Sequence, residues 1–168
     1  MNPVFLTGLL ACGPKPAALA PPGHIETVQQ FAIEFRGHTM AGVAIAVFDG
    51  HHLRFQALTP AGTALFHVES DGEVQTVKAP DERWATALEP LPLYRDMALV
   101  HTWSCPSGKC SVDGGRLTQE PLDDGGIIRT WNGPGGKAEA RIWDGRAEVR
   151  DTLRGYVVRL AGEDIHAR

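Results

Sequence analysis

Short segments in which apolar and polar residues alternate recur along most of this chain, and turn sequences such as Asp49-Gly50 and Asp71-Gly72 separate them. Strict alternation is the pattern of a half-buried β-strand, and Asp-Gly is a strong hairpin signal. Because short turns join neighbouring strands, the sequence predicts an antiparallel meander with one apolar face. The predicted strands cover residues 31–35, 43–47, 53–57, 64–68, 74–78, 116–120, 127–131, 138–143, 147–151 and 156–160.

The alternation stops in the middle of the chain, where two helices are predicted. Asp81 and Glu82 supply the acidic residues that helix N-termini prefer, and Trp84 shares one helical face with Ala87 and Leu88. After Pro92, the spacing of Leu93, Met97, Val100 and Trp103 predicts a second helix with one apolar side. Both helices are expected to pack on the apolar face of the sheet.

A twisted antiparallel sheet with this many strands tends to curl into a barrel. The predicted fold is therefore mainly β, an incomplete antiparallel barrel of about ten strands. Two helices are inserted between strands five and six and cover the concave face. Residues 24–168 are expected to form this single half-barrel domain.

Composition excludes several classes of protein. The chain has 168 residues, of which 43% are hydrophobic and 21% charged, which suits one folded domain with a real core. The formal net charge is −4, and Lys and Arg form no block, so no nucleic-acid footprint is visible.

The first twelve residues end in Leu9-Leu10-Ala11-Cys12, a tetrapeptide that resembles the lipobox of bacterial lipoproteins. The apolar run is too short to span a bilayer, and it fits the apolar core of a secretory signal over residues 1–11. Acylation of Cys12 would anchor the chain, and the proline-rich residues 13–23 would serve as a linker. Since no Lys or Arg precedes the run, a buried strand with an ordinary cysteine remains the alternative.

Cys105 and Cys110 flank a Pro-Ser-Gly-Lys turn sequence. In an oxidising compartment we expect a disulfide between them, which would stabilise the fold by about 2 kcal/mol. The alternatives are two reduced thiols or half of a metal site. Zinc sites usually use two close pairs of ligands, and no second pair of suitable spacing stands out, so no metal is expected.

The order of lipobox, proline-rich linker, strands, helices and further strands resembles the outer-membrane lipoprotein receptor LolB and related lipoproteins of unknown function. Residues 58–63, Leu-Thr-Pro-Ala-Gly-Thr, resemble the Pro-Leu-Gly turn of that family. Residues 89–103 resemble its helix that starts at Pro-Leu and ends in Trp. The resemblance implies a half-barrel whose apolar cavity takes acyl chains of lipoproteins and passes them to the outer membrane.

The resemblance also assigns residues to roles. The membrane-delivery loop would be Pro60, Ala61 and Gly62, with Ala61 where the family has an exposed leucine; a methyl group buries much less area than a leucine side chain. The cavity and its helical lid would be lined by Phe31, Ile33, Phe35, Val43, Ile45, Phe55, Phe66, Trp84, Leu93, Met97 and Trp103.

The implied partners are a lipid acyl chain or lipoprotein cargo and the membrane that holds Cys12. Gly13 after the cysteine favours the periplasmic face of the outer membrane, by resemblance to the enteric sorting rule. A monomer is expected, without nucleic acid and without a cofactor.

Two other functions compete with lipid binding. An enzyme is not expected, because Ser104 and Ser107 lack a Gly-x-Ser-x-Gly elbow and the glycines at 133–136 lack the Lys-Ser of a phosphate loop. A structural or protein-interaction lipoprotein with a filled core and no ligand remains open. Small residues such as Ala44 and Ala46 fit either a hollow or close packing by a helix.

Overall fold

The computed structural model describes residues 23–167, which form eleven strands and two helices. The first half of the chain contributes β1 (Ile25–Phe35), β2 (His38–Asp49), β3 (His52–Leu58), β4 (Ala64–Ser70), β5 (Gln75–Lys78), α1 (Glu82–Leu88) and α2 (Leu93–His101). The second half contributes β6 (Lys109–Val112), β7 (Gly115–Pro121), β8 (Ile127–Gly133), β9 (Gly136–Trp143), β10 (Arg146–Asp151) and β11 (Tyr156–Ala161).

All eleven strands belong to one antiparallel sheet, in the order β5-β4-β3-β2-β1-β11-β10-β9-β8-β7-β6. The first and last strands lie side by side at the centre, where Ile33 of β1 pairs with Val158 of β11. The edge strands β5 and β6 do not pair with each other, and the chain crosses from one to the other through α1 and α2. The predicted mainly β, unclosed fold with two helices between strands five and six is confirmed.

The count of about ten strands was one short. The missed strand is β6, four residues reading Lys-Cys-Ser-Val, which pairs with β7 across the turn at Asp113. Its four residues alternate between polar and apolar, but the segment is too short to be distinguished from the cysteine loop that precedes it. The Cys105–Cys110 disulfide is present and joins the first residues after α2 to this edge strand.

Helix α2 fills the hollow of the sheet. Residues 93–100 are all buried, so the helix is enclosed on every side. It lies against β9 and β10, where the inward-facing residues Ala138, Ala140 and Ala147 leave room for a helix backbone. In this conformation the small residues serve close helix packing.

The prediction that Val43 and Ile45 line the inner face is wrong. Successive side chains of a strand point to opposite faces, and in β2 the buried phase is Met40, Ala44 and Ala46. Ile45 pairs with Val28, which is 55% exposed on the outer face. Strand β2 is apolar in both phases, and here the smaller residues point inward.

Candidate functional site

Nine of the eleven residues predicted to form the cavity and its lid lie in or against one core; Val43 and Ile45 are the exceptions. The structure buries Phe31, Ile33, Phe55, Phe66, Leu93, Met97 and Trp103 in one core, and Phe35 and Trp84 are partly buried against it. The rings of Phe55 and Phe66 stack with centroids 5.7 Å apart, and Phe31 meets both edge-on. The trough is therefore occupied by the protein's own side chains.

A buried ionic cluster fastens α2 to the sheet. Arg95 of the helix donates through Nη2 to Asp96 Oδ1 at 2.7 Å and to Asp151 Oδ2, at the end of β10, at 2.9 Å. Tyr156 of β11 donates its hydroxyl to Asp96 Oδ2, and Arg154 Nη1 reaches Asp151 Oδ2 at 2.9 Å. Two arginines thus balance two aspartates that are almost fully buried.

Burial and pairing act differently on the acidic groups of this cluster. Burial raises the pKa of Asp96, and the nearby charge of Arg95 opposes that shift without reversing it. Burial also acts to raise the pKa of Asp151, but hydrogen bonds from the Arg154 backbone and from Arg95 outweigh it, so that pKa is lowered. Burial and the charge of Asp96 raise the pKa of Tyr156, which keeps its hydroxyl as a donor.

A histidine contact holds the last turn of α2. His101 Nε2 lies 2.9 Å from Gln29 Oε1 of β1, and Gln29 Nε2 lies 3.8 Å from Met97 Sδ. Burial lowers the pKa of His101 to about 4, so its imidazole is neutral at pH 7. The nitrogen that faces the Gln29 carbonyl oxygen must therefore carry the proton and donate it.

Arg129 of β8 meets the carbonyl end of α2. Its Nη1 donates to Leu99 O at 2.9 Å and to Val100 O at 3.2 Å, and its Nε donates to Gln119 Oε1 at 2.9 Å. Burial lowers the pKa of Arg129 to about 10, so the guanidinium stays charged at neutral pH. A cation at this position satisfies carbonyls that a helix C-terminus leaves without partners.

Sequence reasoning missed these attachments, although a signal for them exists. Arg129 and Asp151 occupy the inward phase of their strands, together with Trp131 and Val149 respectively. A charged residue in that phase must find a buried partner, because burying an unpaired charge is very costly. The pair Arg95-Asp96 interrupts an otherwise apolar helix and supplies the partner for Asp151.

A groove of about 830 Å³ lies between α1 and the end of the β1–β2 hairpin, a volume within the range of ligand pockets. Phe35, Trp84, Ala87 and Pro90 form its apolar lining. Arg36 stands 4.8 Å above the Phe35 ring centroid at one side. The predicted lid residue Trp84 is part of the lining of this groove.

The predicted delivery loop lies in the turn between β3 and β4, where Pro60, Ala61 and Gly62 are all exposed. Thr59 closes the turn, because its carbonyl oxygen accepts from Gly62 N at 2.9 Å and its hydroxyl accepts from Thr63 N at 3.1 Å. Cys12, the signal at residues 1–11 and the linker to residue 22 fall outside the described residues.

Two further features of residues 23–167 bear on function. They contain no group of three or more His, Cys, Asp or Glu side chains placed to hold a metal ion. None of their helices has the length and apolar character needed to cross a membrane.

The fold and site define an open antiparallel half-barrel whose hollow is occupied by a helix held through buried polar contacts. The model of a family described as "protein of unknown function (DUF3261)" matches residues 26–161. The chain therefore belongs to the DUF3261 family, and the match runs from the second residue of β1 to the last residue of β11. No curated protein matches the sequence.

Proposed function

We propose that this chain is a membrane-anchored lipoprotein, similar to LolB, that binds an acyl chain between its half-barrel and helices during lipid or lipoprotein transfer to the outer membrane. The observation that carries the proposal is the enclosed helix α2, which lies in an apolar trough and links the two unpaired edge strands. Moving α2 outward would expose the trough without breaking any strand pairing. Neither acyl binding nor transfer requires a nucleophile or a metal.

The energies of helix and ligand burial are comparable. Burying Leu93, Met97, Leu99 and Val100 contributes roughly 6–12 kcal/mol, at about 1.5–3 kcal/mol for each side chain. A sixteen-carbon chain gains about 12 kcal/mol at ~0.8 kcal/mol per buried methylene, and an eight-carbon chain gains only about 6 kcal/mol. Since the polar contacts of α2 must also be released, an eight-carbon chain gains too little to displace the helix, and any displacement requires a chain of about sixteen carbons or more.

The groove beside Trp84 offers the route by which an acyl chain would reach the trough. Its apolar wall is continuous with the core through Phe35 and Trp84, both packed against the buried cluster. Acylated Cys12 would hold this opening near a membrane. The exposed but short Ala61 side chain argues that binding is retained while delivery through the β3–β4 loop is weak.

The test is titration of the full chain with a fluorescent sixteen-carbon acyl probe, followed by competition with eight-carbon and sixteen-carbon fatty acids. We expect saturable binding that only the longer acid displaces efficiently. Replacing Arg129 by Gln should tighten probe binding, because it weakens the hold on the carbonyl end of α2. Arg141→Gln is the matched control, since Arg141 lies on the outer face of β9 and pairs with Glu139.

The second candidate is a structural or protein-interaction lipoprotein without a ligand, which the filled core and the stacked Phe55 and Phe66 rings favour. The two functions give opposite results in the titration. Non-saturable probe binding with no difference between Arg129→Gln and Arg141→Gln would reject the acyl-binding proposal and leave the structural role.

A further inference from the structure

Leu153 is the most exposed large hydrophobic residue of the described chain. It lies at the tip of the β10–β11 turn with 71% of its surface exposed. A single exposed leucine is unremarkable by itself, so its significance depends on its surroundings.

The turn that carries Leu153 is held rigidly. Asp151 Oδ1 accepts from the backbone N–H of Arg154 at 2.8 Å, and Arg154 Nη1 donates to Gly135 O at 2.9 Å in the neighbouring β8–β9 turn. The Leu153 side chain also lies so close to Gly136 that a Cβ atom there would come within 3.0 Å of it. Leu153 is therefore presented in a fixed position, and binding through it requires little further ordering.

Positive charge surrounds this leucine. Arg154 is in the same turn, Lys137 follows Gly136, and Arg36 is exposed in the β1–β2 turn. That turn is a neighbour because Phe35, the last residue of β1, pairs with Tyr156, the first residue of β11. We call these three turns the Leu153 rim. Within them the one acidic residue is Asp151, which is buried and paired with Arg95 and Arg154, so the charges outside that balanced cluster are those of Arg36 and Lys137.

The opposite ends of the same strands carry the opposite charge. Arg146 is a basic residue there, and its guanidinium stacks over Trp143 at 4.7 Å. The exposed acidic residues at these strand ends and in the segment after β11 are Asp49, Asp123, Asp124, Asp144, Glu163 and Asp164. The end that carries Leu153 also has an exposed carboxylate, Asp113, in the β6–β7 turn beside the β8–β9 turn, so the positive charge is local to the Leu153 rim.

We infer that the Leu153 rim contacts an anionic membrane surface, with Leu153 inserted at the interface and Arg36, Lys137 and Arg154 beside the lipid headgroups. Apolar insertion combined with basic neighbours is how peripheral proteins bind anionic bilayers. A protein partner is disfavoured, because leucine is under-represented among the residues that dominate protein interfaces. This contact is on the outside of the barrel and does not depend on acyl binding in the trough.

The inference is tested with the full chain carrying Cys12→Ala, so that no acyl anchor contributes, in co-sedimentation with phosphatidylglycerol–phosphatidylcholine vesicles. We expect binding that weakens as salt is raised and that is much weaker on pure phosphatidylcholine. Leu153→Ala should weaken binding about tenfold, the scale expected when a partly inserted leucine is cut back to a methyl group.

Val74→Ala is the matched control, because Val74 is 65% exposed but lies in the β4–β5 turn beside the acidic Asp71 and Glu73. Val74→Ala should leave vesicle binding unchanged. The double variant Arg36→Gln/Lys137→Gln should bind vesicles with a weaker dependence on salt concentration than the parent chain. The inference is overturned if the parent chain does not bind anionic vesicles, or if Leu153→Ala binds as well as Val74→Ala. Matching circular dichroism spectra and thermal melts verify folding of each variant.

The acyl-probe titration of Leu153→Ala separates the two proposals. We expect this variant to bind the probe like the parent chain. Loss of probe binding in every variant with vesicle binding retained would reject only the acyl-binding proposal.

Discussion

Replacing Arg95 by Met tests whether the buried ionic cluster holds α2 in the half-barrel. Met fills a volume similar to that of the aliphatic part of the arginine side chain, but it lacks the guanidinium that Asp96 and Asp151 share. Asp151 would retain Arg154, and Asp96 would retain the Tyr156 hydroxyl, but the cluster would contain one positive charge against two negative ones. Removing one partner of a buried ion pair typically costs about 3–5 kcal/mol.

That loss is large compared with the whole free energy of unfolding, which is about 5–15 kcal/mol for a typical domain. The double variant Arg95→Met/Asp96→Asn should recover much of the loss. It restores charge balance between Arg154 and Asp151, and the Asn side chain can still accept from Tyr156. We expect the order of stability to be parent, then double variant, then Arg95→Met.

The measurement is urea unfolding followed by tryptophan fluorescence, since the chain has four tryptophans. The midpoint should fall while the slope of free energy against urea stays constant, because a changed slope would indicate a different unfolded or native state. Arg150→Met is the control, as Arg150 pairs with Glu148 on the outer face of β10. A loss below about 1 kcal/mol in Arg95→Met, the value typical of exposed pairs, would refute the argument.

Two further predictions concern His101 and Cys12. Burial lowers the pKa of His101 to about 4, so as the pH falls the unfolded chain binds a proton at this residue before the folded chain does. The contribution of the neutral imidazole to the free energy of unfolding is therefore complete above about pH 6.5 and declines towards pH 4. At pH 5 the loss is about 2 kcal/mol. Urea unfolding at pH 7 and pH 5 should show a smaller loss of stability in His101→Gln than in the parent chain. His24→Gln, at an exposed position, should behave like the parent. Equal pH dependence in all three proteins would contradict the prediction. Cys12→Ala should move the protein from the membrane fraction to the soluble fraction on fractionation of cells, and an unchanged distribution would reject lipid anchoring.

The strands were predictable because alternation and Asp-Gly turns are local signals. Leu53, Phe55 and Ala57 of β3 alternate cleanly with polar residues, and all three are buried as expected. The predicted disulfide between Cys105 and Cys110 is also local, since only a turn separates the two residues.

Alternation did not predict which side chains of β2 point towards the core. Val43 and Ile45 are larger than Ala44 and Ala46, so apolar size alone assigns the wrong phase to the inside. The alternation is fixed further along the strand, because Phe48 is fully buried and lies in the same phase as the two alanines. Tertiary packing here overrides local pattern.

The attachments of α2 depend on residues far apart in sequence. Arg95 meets Asp151 and Tyr156 only because the sheet brings the end of β10 and the start of β11 beside the helix. The sequence could have indicated that Asp151 needs a buried partner, but the identity of that partner follows from the topology. Leu153 and its basic neighbours likewise come together through three separate turns.

The order of strands has a consequence for how the chain folds during synthesis. Strand β11 is made after the other ten strands of the sheet, yet it occupies the middle of the sheet and pairs with β1. Until β11 emerges, the first five strands and the later ones form two separate sheets, each with an uncovered central edge. Pairing over such long sequence separations is slow, and open edges invite aggregation. In this topology the central edges of β1 and β10 gain their partner only when β11 pairs with both of them.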